Sequence, residues 1–358
     1  MKKISLVTYH CSPNIGAIMQ TYALCRFLKE HDYQVEIVDI RNFEPNLKTI
    51  SEGSPLPIRL VKSVIYPMRI NNIFKKFYPA LTRHYTSMDD LRQNPPQSDV
   101  YIVGSDQVWN HVIARDKALA YFLDFGPDGV RRFSYASSFG LSQWEAGPYA
   151  PTEKVKECLD RFYSLSVREL EGQKILNETF KKDATIVLDP TFLNESYPEI
   201  TGPVKHREEI VCYKLEKTQD FWQYMPNVSG KIGMPVLLLN HNFPKTGYKY
   251  HFNPSVCQWV GRIAGASFVI TDSFHGVAFS IIYKRQFAAV INHNGKESRL
   301  VSLLKLLHLE ERMFDSVEEL SKSNCWETAI DYTKVSQYLS PLKTQSISYL
   351  FRALSEQH

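Results

Sequence analysis

The chain has 358 residues, of which 44% are hydrophobic and 22% are charged, and its formal net charge is +4. This length exceeds what one hydrophobic core usually fills, so two domains are expected. The basic residues are scattered along the chain, which argues against nucleic acid as a partner, and no apolar run approaches the ~20 residues that a membrane-spanning helix needs.

The N-terminus and the cysteines favour a cytoplasmic protein. The first apolar run ends at Tyr9 and His10, which is too early for the apolar region of a signal peptide. The six cysteines form no C-x-x-C pair and none lies beside a histidine at metal-ligand spacing, so free thiols are expected. We predict no metal and no cofactor. Contact with a membrane surface and the oligomeric state stay open.

The first residues predict the opening of a doubly wound α/β domain. A strand over Ile4–Thr8 is followed by a helix that ends near Lys29 and by a strand over Gln34–Ile40. The first crossover turn holds Asn14 and Gly16 but lacks G-x-G-x-x-G, so a dinucleotide fingerprint is absent. These two residues are either turn formers or substrate contacts.

The remainder of the first half continues the alternation. Residues 42–95 predict an irregular insertion with short helices. A buried strand over Ser98–Val103 ends in a polar cluster, and further strands are predicted over Tyr121–Phe125, Arg132–Ala136 and Ala184–Phe192.

The second half repeats this pattern, with strands over Glu209–Tyr213, Pro235–Asn240 and Gln286–Ile291. We therefore expect an α/β protein with two Rossmann-like domains that face each other across a cleft. The expected division is 1–180 for the first domain, 181–330 for the second, and 331–358 for a closing helix.

One stretch of the second half predicts an anion-binding turn. The apolar run Phe268–Ile270 stops at Thr271, Asp272 and Ser273, each a good helix N-cap residue, and an apolar helix resumes at Gly276. A helix N-terminus at the carboxyl end of a parallel strand presents N–H groups to an anionic ligand. His275 would lie in the first turn of that helix.

Taken together, these turns resemble the polysaccharide pyruvyl transferase family. The resemblance extends from residue 1 to about residue 310, and it depends on an ordered set of motifs, none of which is specific alone. The motifs are N-x-G-A-x-x-Q at 14–20, V-G-S-D-Q-V-W-N at 103–110, S-Y-A-S-S-F-G at 134–140, S-V-R-E at 166–169, L-D-P-T at 188–191, T-D-S-F-H-G at 271–276 and S-R-L at 298–300.

The resemblance implies an architecture similar to GT-B glycosyltransferases. It also implies transfer of a pyruvate ketal from phosphoenolpyruvate onto two hydroxyls of a sugar. The acceptor would be a sugar or lipid-linked oligosaccharide of a cell-surface polysaccharide. Phosphoenolpyruvate carries a carboxylate and a phosphate, so its site needs arginine or helix N-termini, and protonation of its enol carbon needs a positioned acid.

By the same resemblance, His275 is the candidate general acid, although it could also serve only to cap its turn. Arg168 would bind the phosphate or the carboxylate of phosphoenolpyruvate, unless it forms an ion pair with Glu169 or Glu171. Asp106 would be the base for the acceptor hydroxyl, or a helix N-cap. The family can carry an arginine where this chain has Ser273, which leaves the donor contact at that position open.

The remaining candidates divide between the two expected domains. Those on the acceptor side are Asn14, Gly16, Gln20, Gly104, Ser105, Ser137 and Ser138. Those on the donor side are Asp272, Ser273, Phe274 and Gly276. Two other functions compete with ketal transfer: a GT-B nucleotide-sugar glycosyltransferase, whose diphosphate would use the same helix N-terminus, and a non-catalytic carbohydrate-binding relative.

Overall fold

A computed structural model describes residues 1–12, 14–41, 76–78, 80–215, 219–240, 247–252, 254–291 and 298–355. The chain divides into two compact units. Unit 1 comprises Met1–Leu193 with Ser346–His358, and unit 2 comprises Asn194–Gln345. The expected boundary at 180/181 therefore lies inside unit 1. The segment expected as a separate closing helix begins in unit 2 and ends in unit 1.

Unit 1 is organised around a parallel sheet in the order β3-β2-β1-β4-β5. All residues of β4 are buried, as are the last four of β1, which is typical of strands covered on both faces. The strands are β1 (Lys3–Val7), β2 (Gln34–Ile40), β3 (Leu81–Tyr85), β4 (Val100–Val103) and β5 (Arg131–Ser134).

Helices and two short strands complete unit 1. The short strands β6 (Ser166–Val167) and β7 (Thr185–Ile186) pair in parallel. The helices are α1 (Ile15–Glu30), α2 (Met88–Gln93), α3 (His111–Ala114), α4 (Thr152–Asp160) and α5 (Leu170–Phe180).

Three predictions for unit 1 need correction. Tyr121–Phe125 was expected to be a strand, but Arg115–Phe122 is a 3₁₀ helix that ends at Leu123, whose φ is 53°. Short apolar runs do not distinguish a strand from a buried helical turn. Strand structure in Ala184–Phe192 is limited to β7, because Pro190–Phe192 forms a 3₁₀ turn. The predicted irregular insertion 42–95 contains β3 and α2, while its residues 42–75 and 79 lie outside the described residues.

Unit 2 contains a second parallel sheet, in the order β10-β9-β8-β11-β12-β13. Its strands are β8 (Arg207–Tyr213), β9 (Val236–Asn240), β10 (Lys249–Phe252), β11 (Ala266–Thr271), β12 (Gln286–Val290) and β13 (Met313–Phe314). The helices that begin in this unit are α6 (Pro198–Thr201), α7 (Gln219–Ile232), α8 (Val256–Gly265), α9 (Phe274–Ile282), α10 (Ser298–Leu306), α11 (Val317–Lys322) and α12 (Tyr332–Leu354). Among the described helices, none is long and apolar enough to cross a bilayer.

The two sheets share one topological feature that locates candidate ligand sites. In each sheet the chain builds outward in one direction and then returns to the other side of its first strand. The order reverses between β1 and β4 in unit 1, and between β8 and β11 in unit 2. In open parallel sheets, ligands bind outside the carboxyl ends of the strands at such a switch point. The loops that follow these four strands are therefore the expected ligand sites.

Gly104, directly after β4, is required by the close approach of two chain segments. Its φ is 121°, a conformation that favours glycine. A Cβ atom at this position would lie 2.1 Å from the carbonyl oxygen of Tyr135. The loop that follows β5 can therefore pack against the end of β4 only because residue 104 has no side chain.

We predict that Gly104→Ala lowers the unfolding free energy of unit 1 by about 2–4 kcal/mol, because it adds backbone strain and a steric clash. Urea unfolding followed by tryptophan fluorescence measures this change. Gly129→Ala is the matched control, since no atom of the described residues lies within 4 Å of a Cβ there, and it should change stability by less than about 0.5 kcal/mol. Equal stability of the two variants would contradict the prediction.

Candidate functional site

The turn after β11 begins α9 as the sequence predicts. Ser273 is the N-cap residue, and its hydroxyl accepts a hydrogen bond from the backbone N–H of Gly276 at 3.4 Å. Thr271, two residues before Ser273, stabilises the turn with two hydrogen bonds. Its hydroxyl donates to the carbonyl oxygen of Tyr213 at 2.6 Å and accepts from the N–H of Ser273 at 3.1 Å. The turn is thus bonded to the end of β8.

Gly276 allows the first turn of α9 to pack directly on the end of β11. A Cβ atom at residue 276 would lie 2.3 Å from the hydroxyl oxygen of Thr271. His275 precedes this close contact and is 5% exposed, so the packing of the helix start determines where the imidazole lies. The ring of Phe274 meets that of His275 edge-on, with centroids 5.1 Å apart. The predicted proton donor is therefore held in a buried, sterically restricted position.

Asp272 forms a bridge between the two loops at the switch point of unit 2. One carboxylate oxygen accepts a hydrogen bond from the backbone N–H of Leu215 at 2.7 Å, and the other lies 3.4 Å from the ammonium of Lys214. Both side chains of the Lys214–Asp272 pair are at most 2% exposed. Lys214 was not identified from the sequence, since it follows a different strand and belongs to none of the motifs.

Arg168 lies in a buried cluster of charges in unit 1. Its guanidinium donates to Asp189 at 2.7 Å and to Asp106 at 2.9 Å, and its Nε lies 3.8 Å from Glu169. Burial acts to lower the pKa of Arg168, but the charges of Asp106 and Asp189 outweigh it and raise the pKa. The predicted local pairing with Glu169 or Glu171 is therefore secondary to pairing with two distant aspartates.

Asp106 and Asp189 each have a second contact that fixes the carboxylate. Asp106 has a φ of 77° and accepts from the N–H of Gln107 at 2.9 Å. It does not cap the following helix, because the N-cap of α3 is Asn110. Asp189 accepts from the N–H and the hydroxyl of Thr191. Both aspartates therefore orient Arg168 from well-defined positions.

Several of the predicted acceptor-side residues form buried hydrogen bonds next to the Arg168 cluster. The amide of Gln20 accepts from the backbone N–H of Ser105 at 3.1 Å and donates to Thr8 at 2.9 Å. The hydroxyl of Ser105 bonds to Asp189 at 3.1 Å. Ser137 donates to the carbonyl of Val103 at 3.1 Å. These side chains are fully buried, so in this structure they connect β1, β4 and β5 rather than reach the surface.

The other acceptor-side candidates are placed as follows. Asn14 caps α1 by accepting from the N–H of Gly16 at 2.9 Å. Asn14 is exposed, whereas Gly16 is buried. Ser138 is fully buried, and its hydroxyl accepts from the N–H of Gly140 at 3.0 Å. Asn14 therefore satisfies the turn-forming interpretation and also keeps access to solvent beside the switch point of unit 1.

A second charged cluster in unit 1 was also missed by the sequence analysis. His10 follows β1 and its Nε2 lies 3.1 Å from Asp39 at the end of β2. The guanidinium of Arg41 donates two hydrogen bonds of 2.7 Å to the same carboxylate. Although burial acts to raise it, the hydrogen bonds from His10 and Arg41 hold the pKa of Asp39 below its usual range. This cluster shares the carboxyl edge of the sheet with Asn14.

The chemical capacity of the two loci differs. Unit 2 presents an imidazole at a helix start beside a buried lysine–aspartate pair, a combination suited to proton transfer to an anionic substrate. Unit 1 presents an arginine surrounded by carboxylates. Within the part of the chain that the structure describes, no group of three or more potential ligands could hold a metal ion.

Solved structures with similar folds are glycosyltransferases and sugar-nucleotide enzymes. TcCGT1 in complex with UDP matches with a TM-score of 0.53 at 9% identity, covering 98% of this chain and 99% of that chain. The UDP co-structure of S. aureus MnaA matches with a TM-score of 0.52 at 10% identity, covering 100% and 99%. A mutant O-GlcNAc transferase from Thermobaculum terrenum matches with a TM-score of 0.52 at 9% identity, covering 98% and 67%. At such identities the likeness shows the fold alone, which is the expected GT-B type.

Comparison by sequence identifies the family. No curated protein matches the chain. The model of the family described as polysaccharide pyruvyl transferase matches residues 14–294, which is most of the chain and includes both loci described above. The chain therefore belongs to the polysaccharide pyruvyl transferase family.

Proposed function

We propose that this protein transfers a pyruvate ketal from phosphoenolpyruvate onto two hydroxyls of a sugar in a cell-surface polysaccharide or its lipid-linked precursor. The observation that carries the proposal is the position of His275. It is buried at the start of α9, at the carboxyl end of β11 and at the switch point of the sheet. Membership of the family agrees with this reaction class.

The reaction requires one proton donor and one anion site. Protonation of the terminal carbon of phosphoenolpyruvate turns the adjacent carbon into an oxocarbenium-like centre, which one sugar hydroxyl attacks. Phosphate then leaves, and the second hydroxyl closes the ketal ring. Of the two protons that the hydroxyls lose, one replaces the proton given to the enol carbon and the other leaves with phosphate. In this proposal His275 supplies the proton, while the start of α9 with Ser273 accommodates the anionic group. Asp106 would accept the proton of the attacking hydroxyl.

The roles proposed for unit 1 follow from its charge cluster. Arg168 is bonded to Asp106 and Asp189, and its side chain is 1% exposed. In this arrangement its first effect is to keep Asp106 ionised and oriented, which suits a base for the acceptor hydroxyl. Direct contact between Arg168 and phosphate would require the guanidinium to exchange one of these carboxylates for the substrate. We therefore assign the donor anion primarily to unit 2.

Ligand-induced stabilisation separates this proposal from the two alternative functions. Phosphoenolpyruvate should raise the melting temperature, and UDP-sugars should not, because only a ligand that binds the folded state stabilises it. Stabilisation by nucleotides alone would favour a glycosyltransferase. A protein that binds only the sugar acceptor would be a carbohydrate-binding relative. Release of inorganic phosphate from phosphoenolpyruvate with a panel of sugars then identifies the acceptor.

The assignment of the acid predicts a large loss of turnover in His275→Ala. Removing a general acid typically costs about 10²–10⁴-fold in rate, so phosphate release should fall by that factor while binding of phosphoenolpyruvate persists. His206→Ala removes an exposed histidine of the same unit and should leave the rate unchanged. Ketal formation by His275→Ala at the wild-type rate would rule out the acid role.

Arg168→Met should destabilise unit 1 by about 3–5 kcal/mol, because it leaves two buried carboxylates without their cation. Arg168→Lys keeps the charge but loses the forked geometry, so its stability should fall between those of the wild type and Arg168→Met. Urea unfolding measures both effects. If Arg168→Met keeps wild-type stability but binds phosphoenolpyruvate more weakly, the arginine is a donor contact rather than a partner of Asp106 and Asp189.

A further inference from the structure

The buried ion pair of Lys214 and Asp272 lies at the switch point of unit 2 and has no role in the proposed reaction. Lys214 is the first residue after β8, and Asp272 is the first after β11. These strands are neighbours in register, with Tyr213 opposite Thr271. The two side chains therefore meet where the two loops leave the sheet.

The contacts around this pair join the two loops at three points. The hydroxyl of Thr271 bonds to the carbonyl of Tyr213 at 2.6 Å, and Asp272 bonds to the N–H of Leu215 at 2.7 Å. The ammonium of Lys214 lies 3.4 Å from the other oxygen of Asp272. The first two contacts fix the course of the backbone, and the third provides the opposite charge that a buried carboxylate needs.

The position of His275 depends on these contacts, because only Ser273 and Phe274 separate it from Asp272. Ser273 caps the helix that begins at Phe274, and its N–H is held by Thr271. A displaced Asp272 would therefore move the helix start and the imidazole with it. A misplacement of about 1 Å in an active site can lower a rate by about a hundredfold.

We propose that Lys214 is a positioning residue. By neutralising Asp272, it keeps the Thr271–Gly276 turn bonded to the loop after β8 and so holds His275 in place. This inference rests on the proposed function for its kinetic consequence, but its structural consequence can be measured without substrate.

The kinetic arm uses phosphate release from phosphoenolpyruvate. Lys214→Met should lower kcat and kcat/KM together by about 10- to 100-fold. A misplaced His275 would stabilise the transition state less, while binding of the substrate would change little. Lys214→Arg keeps the charge and should retain most activity. The double variant Lys214→Met/Asp272→Asn should recover most of the loss, since an asparagine oxygen still accepts from Leu215 while the buried charge is removed. Lys205→Met, which removes an exposed lysine of the same unit, is the control.

The structural arm uses the ring signals of His275 in protein labelled with ¹⁵N-histidine, assigned with His275→Ala. These signals should move in Lys214→Met, stay in place in Lys214→Arg and Lys205→Met, and return in the double variant. Unmoved signals in a folded Lys214→Met protein would overturn the inference. A rise in KM at unchanged kcat would also overturn it, by making Lys214 a direct substrate contact.

The two arms keep the inference separate from the proposed function. If the wild-type protein releases no phosphate from phosphoenolpyruvate with any acceptor, the proposed function fails. The ring signals still decide whether Lys214 positions His275. If wild-type turnover is normal and Lys214→Met matches it, the proposed function stands and the positioning role fails.

Discussion

Burial of charge at the carboxyl ends of parallel strands is the constraint on which both units depend. In a parallel sheet every strand ends at the same edge, and polar side chains placed there are shielded by the helices that follow. A charge in this position is stable only beside an opposite charge. The structure meets the requirement with Arg168 between two aspartates in unit 1 and with Lys214 beside Asp272 in unit 2. In both units the paired residues hold together loops that leave different strands.

The features that could be predicted from the sequence are those set by local physical chemistry. The turn from Thr271 to Gly276 combines a buried apolar run, a run of capping residues and a glycine, so its strand, N-cap and helix were all predictable from adjacent positions. The structure has them where expected. Even here, the reason for Gly276 became clear only from the structure, since the atom it avoids is the hydroxyl oxygen of Thr271.

The features that could not be predicted depend on partners far apart in the sequence. Arg168 has acidic neighbours at 169 and 171, yet its shorter bonds are to Asp106 and Asp189, which other strands bring to it. Lys214 is 58 residues from Asp272 and belongs to none of the recognised motifs. The strand predicted over Tyr121–Phe125 was wrong for a different reason. Burial alone does not determine whether a short apolar segment is extended or helical. Strand order, which juxtaposes these residues, is a property of the whole sheet.

The serine at residue 273 illustrates how capping and charge are divided within one turn. Its hydroxyl accepts from the N–H of Gly276, which satisfies a donor that the start of a helix otherwise leaves without an intrahelical partner. An arginine at this position has no acceptor atom and could not make this bond. A cap made by the side chain of residue 273 and a cation on that same side chain are therefore mutually exclusive. In this chain Ser273, in the turn after β11, makes the cap, while the buried cation Lys214 follows β8 and pairs with Asp272. The parallel pairing of β8 with β11 therefore places the cap and the ion pair at the same turn.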